Sequence, residues 1–164
     1  TQIDKSVTVA IEGKPLVRPD GRQPAFASDG IAISNDGKTL YWQALTGKTL
    51  YSIATDKLRP DVSERDRAAA VKTVATTAVA DGLWMSKAGT LYITSPTDYS
   101  IRRLAGTSTE IVLTDKRLRW PDTLSEASDG AIYVTTSRIQ DMSFFKPDAP
   151  IALPTQLWRI PAKQ

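Results

Sequence analysis

Apolar and polar positions alternate along much of the chain in short runs of about five residues, the two-residue period of a strand with one buried face. In residues 49–53, Leu50 and Ser52 fall on one face and Tyr51 and Ile53 on the other. The runs Leu40-Tyr41-Trp42, Leu91-Tyr92-Ile93-Thr94 and Ile132-Tyr133-Val134-Thr135 are β-branched and aromatic, the composition of strands. Asn35-Asp36-Gly37, Lys87-Ala88-Gly89 and Ser128-Asp129-Gly130 precede them and supply the positive φ of hairpin turns. A further strand follows each: residues 49–53, 100–104 and 156–160. Residues 110–113 read as an outer strand. One segment breaks the period. Ser63-Glu64-Arg65-Asp66 is a capping box with Asp in place of Glu, and Arg67-Ala68-Ala69-Ala70 continues it with good helix formers. This predicts a short helix near residues 62–73, placed as an excursion between two strand groups.

The strand groups are copies of one unit. Ser28-Asp29-Gly30-Ile31-Ala32-Ile33-Ser34 aligns with Ala80-Asp81-Gly82-Leu83-Trp84-Met85-Ser86 and with Pro121-Asp122-Thr123-Leu124-Ser125. The aligned aspartates stand at 29, 81 and 122, spacings that suit propeller blades of about 40–50 residues. The expected fold is all-β: three four-stranded blades, half of a six-bladed β-propeller. The blades are set at residues 24–57, 78–115 and 118–162 of one partial domain, with the outer strand of a preceding blade near residues 6–11. Three blades leave two flanks bare. The expected partner is the N-terminal half of the same propeller, or a second copy that completes the ring. Thr1-Gln2-Ile3-Asp4-Lys5 has no initiator Met and no apolar run, so it reads as a processed or excised terminus.

Composition removes several chemistries. Histidine and cysteine are both absent, which excludes a thiolate nucleophile, a disulfide framework, a Cys/His zinc site and a Ser-His-Asp triad within this chain. Any metal would be an oxygen-liganded divalent cation such as Ca²⁺. The net charge of +3 is mild and the basic residues are scattered, so no nucleic-acid partner is expected. No apolar run reaches the ~18 residues of a membrane span, so no membrane insertion is expected.

The segments Ser28-Asp29-Gly30-Ile31-Ala32-Ile33-Ser34 and Trp120-Pro121-Asp122-Thr123-Leu124 resemble the yellow/major royal jelly protein family. So does Tyr133-Val134-Thr135-Thr136-Ser137-Arg138, over roughly residues 24–160 in all. The resemblance implies a six-bladed propeller that is secreted or periplasmic and holds a small molecule in its central channel. Some members bind small amines there. A more distant similarity is to the regucalcin/gluconolactonase propellers, in which residues at the start of inner strands bind a divalent ion. Asp29 and Asp81 match two such positions, where that family prefers Asn and Asp. Its remaining Glu ligand would lie in the absent half.

The candidate ligand-binding residues are therefore Asp29, Asp81, Trp84, Trp120 and Asp122, with Asp29 and Asp81 as candidate metal ligands and no catalytic residue assigned. Three inner-strand aspartates can converge at one mouth of the channel, or each can cap its own turn. Trp84 and Trp120 lie nearer the mouth, whereas Trp42 and Trp158 are expected to pack between blades. Three readings follow. They are a small-molecule-binding extracytoplasmic propeller, a divalent-metal-dependent lactone or ester hydrolase, and a protein-interaction scaffold.

Overall fold

The computed structural model describes residues 2–148 and 155–162. Among these, a two-stranded hairpin, β1 (Ala10–Ile11) and β2 (Lys14–Pro15), precedes three antiparallel sheets. The first sheet is β3 (Ser28–Ile33), β4 (Thr39–Ala44), β5 (Thr49–Ala54) and β6 (Lys72–Thr76), in that order. The second is β7 (Leu83–Met85), β8 (Leu91–Ser95), β9 (Ser100–Ala105) and β10 (Ser108–Thr114). The third is β11 (Pro121–Glu126), β12 (Ile132–Thr136) and β13 (Gln156–Ile160), three strands among the described residues where four were expected. Each sheet is a meander with its first strand on the inner edge, which is the blade topology the repeat predicts. The hairpin glycines Gly37, Gly89 and Gly130 all take positive φ.

Two placements differ from the sequence expectation. The helix α1 (Glu64–Ala69) lies inside the first blade, not after it, because β6 follows it and pairs with β5. Lys72 to Thr76 is short and β-branched, and it buries Ala75 against the second blade. The first blade therefore runs to residue 76. The Ser63 hydroxyl accepts from Asp66 N–H and donates to its carboxylate, the reciprocal cap expected there. Among the described residues the N-terminal strand pairs with none of the three blades. It turns back on itself through Glu12 and Gly13, both at positive φ, and pairs with its own return. Val9, Ile11 and Leu16 then pack with Leu45, Tyr99, Leu118, Trp120 and Phe145, so the hairpin lies over loops of all three blades.

Between blades the core is made by alternate residues. Leu50, Ala75, Leu83, Leu91 and Ile93 fill the first interface, with Tyr41 against them. Ile101, Leu124, Ile132 and Val134 fill the second, with Trp84 and Tyr92 against them. The inner strands come closest of all. A Cβ on Gly30 would sit 2.5 Å from the Asp81 carbonyl oxygen, and one on Gly82 would sit 2.0 Å from that of Asp122. Both are far inside contact distance, so the glycine of each Asp-Gly pair is what lets the next blade's aspartate approach. Thr94 fastens the second approach: its hydroxyl accepts from Gly82 N–H and donates to the Asp122 carbonyl. At the far end, Asn35 donates to the Ser86 and Lys87 carbonyls, and Lys87 N–H donates to Glu126.

Candidate functional site

Asp29, Asp81 and Asp122 stand at the same place on three adjacent inner strands, and the close backbone approach brings their carboxylates within electrostatic reach. Burial raises the Asp81 carboxyl, the charges of Asp122 and Asp29 raise it further, and it is pushed up to about 7. Asp29 is exposed, yet partial desolvation and then Asp122 raise it as well. Asp81 is 7% exposed and accepts a 2.5 Å hydrogen bond from the indole N–H of Trp120, which opposes the rise without reversing it. None of the three caps a turn in the described hydrogen bonds. Asp122 accepts only from the Thr123 hydroxyl, and Asp81 only from the indole. Asp36 and Asp129 do accept from backbone N–H groups in their turns, and Asp36 titrates low because the Ser34 hydroxyl and then the Lys38 N–H donate to it. The three inner-strand carboxylates thus keep acceptor capacity that no backbone N–H takes up in the described hydrogen bonds.

The tryptophans divide differently from the expectation. Trp120 is fully buried in the second interface at positive φ (59°), so it anchors Asp81 from behind and does not line an open pocket. Trp84 is half-buried, stacks on Tyr92 at 6.0 Å, and borders a cavity of about 380 Å³ with Ile31, Ile33 and Met85. Trp42 stacks on Tyr51 at 5.8 Å. Trp158 packs against the second interface with the Arg117 guanidinium 4.9 Å above its ring.

Among the described residues no three acidic side chains come together as an ion's shell. Ca²⁺ takes about six to eight oxygens, and one of the two expected ligands is already committed to an indole N–H. The residues present do not by themselves fit a resident cation, and no hydrolytic step is derived through one.

Sequence reasoning missed a second polar cluster, beside the N-terminal hairpin. Asp141 is buried and receives three cations: Arg119 through two nitrogens at 2.8 and 2.9 Å, Lys146 at 2.7 Å and Arg138 at 3.3 Å. Burial alone would raise its carboxyl, but Arg119 and Lys146 win and hold it well below the usual range. Only the basic run ending at Arg119 signalled this cluster in the sequence.

Three blades of this topology, with inner strands meeting at one mouth, define an arc of a β-propeller protein. The profile of the Major royal jelly protein family matches residues 2–149, and the chain belongs to that family. Among curated proteins none matches it. Solved structures with the same fold include a gluconolactonase from Xanthomonas campestris (20% identity, TM-score 0.60, 88% of this chain and 49% of that one). A luciferin-regenerating enzyme is similar over 85% of this chain and 48% of its own (17% identity, TM-score 0.56). A chain of the nidogen/laminin complex is similar over 74% and 43% (17% identity, TM-score 0.51). The chain spans about half the length of these structures. No helix of the described residues is long and apolar enough to cross a membrane.

Proposed function

We propose that the protein binds a small cationic molecule, an amine, at the axial mouth formed by Asp29, Asp81 and Asp122. The observation that carries this reading is that Asp29 and Asp81 are both raised, by burial and then by the charge of Asp122, with no cation between the three carboxylates among the described residues. A bound ammonium relieves that repulsion and takes the place of the proton that Asp81 otherwise holds. Family membership supports a setting outside the cytoplasm and a small-molecule role over an enzymatic one.

Calorimetric titration with tyramine at about pH 8 tests the reading. The expected result is one site with a Kd below about 1 mM, weakened at least about tenfold by Asp81→Asn and by Asp122→Asn. Heats that do not change in either variant would sink it.

The second reading is a metal-dependent lactone hydrolase, favoured by the gluconolactonase among the structures of the same fold. It requires Ca²⁺ to raise the thermal midpoint through Asp29 and Asp81, by about 2.7 kcal/mol at a hundredfold excess over Kd. A midpoint unmoved by Ca²⁺ removes that chemistry.

A further inference from the structure

A cavity of about 370 Å³ opens between the N-terminal hairpin and the segment that follows β12. Its walls are of two kinds. Ile11, Leu16, Val17 and Phe145 are apolar, while Lys14, Arg119, Gln140 and Lys146 are polar or cationic, with Glu12 the one acid. Gln140 is 2% exposed, and neither its amide nitrogen nor its amide oxygen has a hydrogen-bond partner among the described residues. A buried amide left this way costs about 1–3 kcal/mol, which a ligand group could recover. Charge is unbalanced there too. Arg119, Arg138 and Lys146 share the single carboxylate of Asp141. The Lys146 side chain stays half exposed, with donors to spare. The non-glycine residues with left-handed backbone are Glu12, Tyr99, Trp120 and Arg138. Glu12 lines the cavity, Trp120 adjoins Arg119, Arg138 binds Asp141, and Tyr99 packs beside Arg119, so strain is concentrated around this corner.

We propose that this cavity binds a small organic anion, a carboxylate with an apolar tail. The carboxylate lies against Lys146 and Arg119 and accepts from the Gln140 amide, and the tail rests on Ile11, Leu16 and Phe145. The volume suits a ligand of modest size. Shape and sign set this site apart from the axial mouth: it lies beneath the hairpin, carries excess positive charge, and selects the opposite ion.

Titration with sodium octanoate, read by calorimetry, tests the assignment. Octanoate should bind one-to-one with the same affinity in Asp81→Asn as in the parent, and octylamine should not displace it. Lys146→Gln should weaken binding at least about tenfold and flatten its salt dependence. Gln140→Leu should weaken it several-fold while leaving the unliganded thermal midpoint equal or higher, because it removes an unpaired buried amide. Lys146 sits at the surface, so its variant folds regardless. Octanoate failing to bind, octylamine displacing it, or affinity unchanged in both variants would each overturn the proposal.

Discussion

Asp81 is a carboxyl raised by burial and then by the charges of its neighbours, and its linkage to folding has a definite sign. Its folded pKa of about 7 lies above the reference value of 3.8, so the folded state holds the extra proton between those values. Stability is therefore greatest on the acid side of that window and falls as pH rises through about 7. Asp81→Asn keeps an oxygen to accept from the Trp120 indole and removes the charge. It should raise stability at about pH 8 by roughly 2 kcal/mol and change little near pH 4, measured as urea midpoints at both values. A variant equal to the parent at high pH would mean that Asp81 is not held up by its surroundings. Trp120→Phe removes the one donor that lowers Asp81 and should shift its titration upward, visible in a carboxyl NMR pH series.

The blade elements were legible because three signals agreed: two-residue alternation, a glycine in each hairpin, and a repeat in which Asp29, Asp81 and Asp122 align. What the repeat hid was the reason for its own Asp-Gly. Gly30 and Gly82 do not have positive φ, and their work is done across the blade boundary, which no local pattern records. Gly82→Ala should cost at least about 3 kcal/mol, since the Asp122 carbonyl is backbone and cannot swing away. A loss below about 1 kcal/mol in chemical denaturation would contradict the inter-blade contact. The helix was found in the right place but assigned to the wrong side of a boundary, because Lys72 to Thr76 is too short to outweigh the exposed helix before it. Gln140 and Asp141 gave no signal, since a buried amide and its ionic neighbours are brought together only by the hairpin crossing above them.

At the scale of the molecule, the blades present equivalent faces. Tyr41 and Tyr92 occupy the same position on β4 and β8, and each packs into the interface with the next blade. Tyr133 is their counterpart on β12, and beside it Leu157 is 67% exposed. On the opposite flank, Ile31 and Ile33 are 59% and 50% exposed, whereas their counterparts in the second blade, Leu83 and Met85, are buried and half-buried. We propose that both flanks receive further blades, from the same propeller or from a second copy. The 164-residue chain alone should self-associate, and Ile33→Lys should weaken that association at least about tenfold in sedimentation experiments. A chain that stays monomeric at high concentration would show that the flanks are tolerated bare.

The account rests on the mouth where Asp29, Asp81 and Asp122 meet, and the pH dependence of amine binding addresses it most directly. Tyramine affinity should be constant between about pH 8 and pH 9, where the amine is still charged, and fall roughly tenfold per pH unit below about pH 7, as protons compete for Asp81, and Asp81→Asn should abolish that fall. An affinity that is flat across this range in the parent protein would contradict a carboxylate-lined cation site.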